Sequence, residues 1–77
     1  MALVRHFREK RRERYSVHQE IEADYSAFER DGRSFVQIDT YGRSTRQIPG
    51  KQSQTLQLDR IGALALYKIL KREFRFD

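Results

Sequence analysis

Apolar and polar positions alternate most clearly on either side of the Asp31-Gly32 pair. An Asp-Gly pair between two β-prone runs is typical of a two-residue hairpin with a type I′ turn, because both turn residues take a positive φ. This turn sets a register in which Phe28 faces Phe35. The other predicted cross-strand pairs are Asp24–Asp39, Tyr25–Ile38, Ala27–Val36 and Arg30–Arg33.

Strand alternation divides the side chains of this hairpin between two faces. The predicted core face carries Ala23, Tyr25, Ala27, Val36, Ile38 and Thr40. The opposite face is polar with three aromatic residues and is expected to meet solvent or a ligand; it carries Glu22, Asp24, Ser26, Phe28, Phe35, Gln37, Asp39 and Tyr41. A cross-strand aromatic pair also stabilises a hairpin without any ligand, which is the alternative role for Phe28 and Phe35.

Two further strands and a helix are predicted after the hairpin. A turn at Tyr41–Arg43 leads to a short strand near Thr45–Ile48, and the Pro49-Gly50 turn ends it because proline cannot donate to a ladder. The last strand covers Thr55–Leu58. The sequence therefore predicts an α+β fold with an antiparallel four-stranded sheet followed by a C-terminal helix.

Asp59 is a good helix N-cap, and the helix is predicted from about Arg60 to Phe74. Its apolar arc is wider than one small sheet can cover. A chain of 77 residues without cysteine also has a marginal core, so we expect a homodimer through the C-terminal helix. The arc consists of Ala63, Ala65, Leu66, Tyr67, Ile69, Leu70 and Phe74.

Charge is distributed in blocks. Residues 1–14 hold six basic and two acidic residues, residues 15–29 hold four acidic residues and no Lys or Arg, and residues 30–77 hold ten basic and five acidic residues. We interpret 1–14 as a short basic N-terminal arm or helix and 15–77 as a sheet-plus-helix binding domain. The blocks suit nucleic acid or a partner with matching patches. The chain has no long apolar run, so we expect it in the cytoplasm.

Catalytic chemistry has little support in the sequence. There is no cysteine, no glycine-rich phosphate loop and no arguable Ser-His-Asp arrangement, and His6 and His18 fit ordinary surface positions. We predict a protein that is not an enzyme and has no cofactor. The enzymatic alternative is a metal-dependent nuclease that uses Asp24 and Asp39.

Binding chemistry is better supported, because basic side chains and aromatic rings together are typical of a single-strand nucleic-acid surface. Three acidic residues, Glu22, Asp24 and Asp39, share the aromatic face and would repel phosphates. A ligand would then follow the arginine-rich end of the hairpin. The predicted nucleic-acid-binding residues are Arg30, Arg33, Phe35, Arg43, Arg46 and Lys51.

Three segments, VQIDTYG (36–42), IPGK (48–51) and LQLD (56–59), followed by an apolar helix, resemble a known pattern. The order and spacing are similar to the single-stranded-DNA-binding domain of the transcriptional coactivator positive cofactor four and its bacterial relatives. That resemblance implies a dimer of curved four-stranded sheets with central helices and a basic concave surface for single strands. Among the family's contacts, Lys51 matches directly, whereas Gln52 stands where the family has a second turn lysine.

The sequence thus predicts a nucleic-acid-binding dimer that prefers single-stranded DNA or RNA and acts as an accessory in transcription or another DNA transaction. The alternative is a protein-interaction module that docks a larger enzyme or an acidic partner. The acidic segment between the two basic blocks favours this alternative, because nucleic acid would avoid it.

Overall fold

The computed structural model of the protein describes residues 1–41 and 54–77. Within these residues, four strands form one open sheet in the order β1-β4-β3-β2, and a helix follows. The predicted α+β arrangement of a four-stranded sheet and a C-terminal helix is confirmed. The elements are β1 (Ala2–Val4), β2 (Ala23–Arg30), β3 (Arg33–Thr40), β4 (Gln54–Leu58) and α1 (Arg60–Phe74).

The β2–β3 hairpin has the predicted register. Phe28 pairs with Phe35 and Arg30 with Arg33, and the other predicted pairs are present as well. Asp31 and Gly32 have φ angles of 54° and 74°, the positive values that a type I′ turn requires. The Asp-Gly pair therefore decides both the turn and which side chains share a face.

The sheet is mixed, whereas the sequence predicts an antiparallel one. β1 pairs in parallel with β4, and β4 pairs antiparallel with β3. The start of the predicted N-terminal arm thus forms an edge strand, and residues 5–22 after it contain no helix or strand. Three predicted features fall wholly or partly outside the described residues. They are the strand near Thr45–Ile48, the Pro49-Gly50 turn and, apart from Tyr41, the Tyr41–Arg43 turn.

Helix α1 begins and ends where the sequence predicts. The Asp59 carboxylate accepts a hydrogen bond from the Gly62 N–H at 3.0 Å, so Asp59 is the N-cap. At the other end Arg75 adopts the left-handed conformation, and its N–H donates to the Lys71 carbonyl. The helix lies on β3 and β4, on the predicted core face of the sheet.

The hydrophobic core of this single chain is small. Among the described residues, Leu58 is the one hydrophobic side chain classed as buried, at 5% exposure. All eight residues of β2 are exposed, and Tyr25 on its apolar face is 79% exposed. An open groove of about 650 Å³ lies between the hairpin and α1. The apolar face is therefore only partly covered by the chain's own helix.

Gly62 allows α1 to approach β1 closely. A Cβ at this position would collide with the Val4 carbonyl and lie 3.2 Å from the Arg5 Cα. All of these are backbone atoms, and Val4 belongs to a paired strand, so they cannot move aside as a flexible side chain would. The absence of a side chain at Gly62 thus lets the helix start rest directly on the end of β1.

We expect Gly62→Ala to destabilise the fold by about 2 kcal/mol, because the added methyl would displace β1 or tilt α1. Such a loss corresponds to a fall in Tm of roughly 10 °C for a chain of this size, measurable by circular dichroism. Lys68→Ala, an exposed change on the same helix, is the control and should stay within about 0.5 kcal/mol. Helix propensity alone favours alanine by ~1 kcal/mol, so a stabilised Gly62→Ala variant would contradict the close approach.

Candidate nucleic-acid interface

The aromatic and basic side chains of the hairpin meet at its turn end. We call Phe28, Arg30, Arg33 and Phe35 the hairpin-end surface. The two phenylalanine rings are stacked, with centroids 5.1 Å apart and an interplanar angle of 17°. The Arg33 guanidinium lies 5.0 Å from the Phe35 ring centroid, within the range of a cation–π contact. The hairpin-end surface therefore combines two cations with the stacked pair of rings, which we call the aromatic shelf.

Arg30 and Arg33 lie directly opposite each other across the strands. Like charges at such positions repel, and an anion placed between them would relieve the repulsion. Arg33 is partly compensated by Asp59 at 3.0 Å, whereas Arg30 has no ion pair within the described part of the chain. Arg30 is thus the more available cation for a phosphate.

A shallow pocket of about 500 Å³ adjoins the hairpin-end surface on the polar face of the sheet. β1 contributes Leu3 to it, and β4 contributes Gln57. The amides of Gln37 and Gln57 can both donate and accept hydrogen bonds, as the edges of unpaired bases require. The pocket lining consists of Leu3, Phe28, Arg30, Arg33, Phe35, Gln37 and Gln57.

A ladder of side-chain hydrogen bonds continues from this pocket along the polar face. Gln57 Nε2 donates to Gln37 Oε1 at 2.9 Å, and Gln37 Nε2 donates to Asp39 Oδ1 at 3.1 Å. Thr55 Oγ1 also donates to Asp39 Oδ1, at 2.9 Å. The ladder fixes the orientation of both glutamine amides, so their outward groups are presented in a defined geometry.

The far end of the polar face is acidic. Asp24 lies opposite Asp39, and the Tyr41 hydroxyl donates to Asp24 Oδ2 at 2.8 Å. This hydrogen bond to Asp24 raises the pKa of the Tyr41 hydroxyl, with smaller contributions from burial and from the charges of Asp24 and Asp39. The polar face therefore has a basic end at the hairpin turn and an acidic end at Asp24 and Asp39.

Asp59 connects the hairpin-end surface to β1 and to α1. Its Oδ2 atom forms an ion pair with Arg5 Nε at 2.7 Å and accepts a hydrogen bond from Arg33 Nη2 at 3.0 Å, while Oδ1 accepts one from the Gly62 N–H. The residue is 4% exposed. The Gly62 hydrogen bond, followed by the charge of Arg5 and the hydrogen bond from Arg33, holds the pKa of the Asp59 carboxyl below its ordinary value despite the opposing effect of burial.

Three predicted site residues, Arg30, Arg33 and Phe35, are brought together, and Phe28 joins them. Arg43, Arg46 and Lys51 lie outside the described residues. Three further residues at this site, Leu3, Arg5 and Gln57, were not predicted from the sequence. The alternation of β4 could have placed Gln57 beside Gln37, but no local pattern marks the three-residue strand that brings in Leu3 and Arg5.

The described residues contain no group of three or more His, Cys, Asp or Glu side chains that could hold a metal ion. Asp24 and Asp39 are cross-strand neighbours as predicted, and both accept hydrogen bonds from polar side chains. Nor do these parts of the chain contain a helix with the length and apolar character needed to cross a membrane.

We expect Asp59→Asn to lower Tm at neutral pH, because asparagine keeps the N-cap but loses the charge that holds Arg5 and Arg33. A carboxyl whose pKa is lowered by folding contributes fully above its unfolded pKa, and the contribution is lost as pH falls through the folded pKa. The Tm difference between wild type and variant should therefore be greatest above about pH 5 and shrink below about pH 4.

Thermal unfolding followed by circular dichroism across this pH range measures the difference. Asp31→Asn is the matched control, because Asn-Gly forms a type I′ turn as readily as Asp-Gly. The Asp31→Asn variant should have a Tm close to that of the wild-type protein near neutral pH. A Tm difference for Asp59→Asn that does not change with pH would show that the carboxylate charge is not what holds these elements.

Comparison with known proteins identifies no relative of this chain. No protein-family model matches it, and no curated protein and no solved structure matches it either. The resemblance to the positive cofactor four domain therefore remains a prediction.

Proposed function

We propose that this protein binds single-stranded nucleic acid through the hairpin-end surface, without catalysing a reaction. In this role it would act as an accessory in transcription or another DNA transaction. The observation that carries the proposal is the placement of Arg30 opposite Arg33, next to the stacked rings of Phe28 and Phe35. Phosphate-binding cations beside an aromatic shelf are the two components of a sequence-tolerant single-strand site.

The geometry favours a single strand over a duplex. An unpaired base can lie on an aromatic ring, whereas the bases of a duplex are already stacked and expose only their edges. A helix that reads a duplex needs a polar outward surface. The exposed apolar residues Leu64 and Tyr67 of α1 instead line the groove beside the hairpin, and the helix N-terminus is held by Asp59.

We further propose that the protein is a homodimer whose second copy covers the groove beside α1. Apolar side chains on this side of the sheet and on α1 are exposed in one chain, among them Tyr25 at 79%, Leu64 at 49% and Tyr67 at 53%. Exposed apolar residues grouped on one surface mark an interaction site. A second copy that covers the groove would remove them from water.

Charge supports a second copy as the occupant of the groove. Residues 60–75 hold five basic residues and one acidic residue, and residues 15–29 hold four acidic residues and no Lys or Arg. These net charges are equal and opposite, so a two-fold arrangement can place α1 of one copy near the acidic segment of the other. The two basic regions remaining on each copy, the arm and the hairpin end, would then be free for nucleic acid.

The same groove supports the second candidate function, docking of a different protein. Its lining is mostly apolar, and Glu29 and Arg60 lie at its sides. The oligomeric state discriminates between the two, because a groove filled by a second copy is not available to another partner.

Replacing one cation and one ring should separate the two contributions to binding. Arg30→Gln should reduce the salt dependence of single-strand binding by about 0.7 in the slope of log K against log salt. Phe28→Leu should weaken binding by about tenfold with an unchanged slope, because stacking is not a counterion effect. Fluorescence anisotropy with a labelled ~20-mer between about 50 and 300 mM salt measures both.

Lys68→Gln is the matched control for charge, because it removes one exposed cation from α1 and should leave the slope unchanged. Binding of a duplex of equal length provides the specificity control and should be weaker than single-strand binding. Negligible binding of the wild-type protein to single strands at low salt would overturn the proposed function. Unchanged binding in the folded Phe28→Leu variant would restrict Phe28 and Phe35 to stabilising the hairpin.

The wild-type protein should have twice the monomer mass by light scattering at micromolar concentration. Leu64→Glu places a charge in the groove and should yield a monomer, whereas Lys68→Gln, which lowers the net charge by the same amount, should remain a dimer. A monomeric wild-type protein would refute the dimer and would leave the groove to a different protein.

A further inference from the structure

β1 directs the basic arm (residues 5–14) to the hairpin-end surface. Val4 at the end of β1 pairs with Leu58, and Leu58 pairs with Val36 near the start of β3. Because β1 runs parallel to β4, the chain leaves the sheet at the same end as the hairpin turn. Any parallel strand at this edge has this outcome, and an antiparallel strand would carry the arm to the acidic end instead.

The Asp59 carboxylate joins the two basic regions at this point. Arg5, the first residue of the arm, and Arg33 of the hairpin-end surface contact the same oxygen, Asp59 Oδ2, at 2.7 and 3.0 Å. A buried carboxylate with two arginine partners holds them in a fixed relation. The arm therefore starts beside the proposed binding surface.

The rest of the arm is charged and exposed. Its side chains beyond Arg5 have exposed positions, and the one ion pair found among them is the surface contact of Arg11 with Glu9 at 3.2 Å. A surface pair of this kind contributes little and is easily exchanged for a phosphate. The cations available to a ligand are Arg8, Lys10, Arg12 and Arg14.

We infer that the basic arm and the hairpin-end surface form one continuous site for single-stranded nucleic acid, with the strand passing from the Phe28–Phe35 shelf onto the arm. This inference rests on the proposed function and adds the path of the ligand. The opposite path, along the polar face, meets Asp24 and Asp39, which repel phosphates. The acidic end of the polar face thus directs the nucleic-acid strand toward the arm.

The length of the ligand tests this path. A ~6-mer can occupy the hairpin-end surface alone, whereas a ~20-mer exceeds the usual site sizes and reaches the arm. The test variant carries three arm substitutions, Arg8→Gln, Arg12→Gln and Arg14→Gln. For the ~20-mer it should lower affinity at least tenfold at low salt and reduce the salt slope by about 2, which is three phosphate contacts at ~0.7 each. For the ~6-mer it should change affinity less than about threefold.

The matched control removes the same number of charges from α1, through Lys68→Gln, Lys71→Gln and Arg72→Gln. Light scattering should first show that this control keeps the wild-type oligomeric state. It should then bind both oligonucleotides with wild-type slopes, which separates a local contact of the arm from a general loss of positive charge. The arm contains no helix or strand, and circular dichroism should confirm that the test variant remains folded.

A second measurement reports on the arm directly. The chain has no cysteine, so Arg12→Cys offers one labelling site for a fluorophore. Emission should change on addition of the ~20-mer and remain constant with the ~6-mer. Equal effects on the two lengths, or none on either, would overturn the continuous site. The proposed function would still stand if Arg30→Gln and Phe28→Leu weakened binding, whereas absence of wild-type binding would remove both proposals.

Discussion

The Asp59 carboxylate is the interaction on which the arrangement of the other elements depends. Its two oxygen atoms cap α1 and hold two arginines, Arg5 directly after β1 and Arg33 at the start of β3. Each partner comes from a different part of the chain. The helix start, the edge strand and the hairpin therefore share one anchoring point, which compensates in part for the small hydrophobic core.

A buried carboxylate is costly unless charge and hydrogen bonds compensate it, and here both are supplied. The compensation is also what gives the arginines fixed positions. Arg33 lies within reach of Asp59 and of the Phe35 ring at once, so it is oriented before any ligand binds. Preorganisation of this kind lowers the entropic cost of binding a flexible strand.

The two faces of the sheet have different requirements. The polar face is organised within one chain, by the side-chain ladder and the aromatic pair. The apolar face is not completed within one chain, because α1 reaches β3 and β4 but leaves Tyr25 and the rest of β2 exposed. The organised polar face and the incompletely covered apolar face thus lie on opposite sides of one sheet.

The elements with strong local chemistry could be predicted from sequence, and those defined by distant contacts could not. Asp31-Gly32 gave the hairpin and its register, and Asp59 gave the start of α1, because turn and cap preferences act over a few residues. β1 has three residues and no detectable period, so its pairing with β4 was not predictable. The role of Gly62 likewise depends on a neighbour far away in sequence. Leu3 and Arg5 were missed at the site for the same reason.

The pairing of β1 with β4 has a consequence for the order of folding. The β2–β3 hairpin joins residues close in sequence, and its formation can be fast. β1 pairs with residues separated from it by most of the chain, and such contacts form slowly because a long loop must first be closed. During synthesis the basic arm is therefore made before β4 and α1. It is fixed in place only when β1 pairs with β4, after the N-cap of α1 has formed. A nascent or partly folded chain would expose its arm without a fixed direction. The arm would take its orientation only when β1, the last strand to pair, joins the sheet.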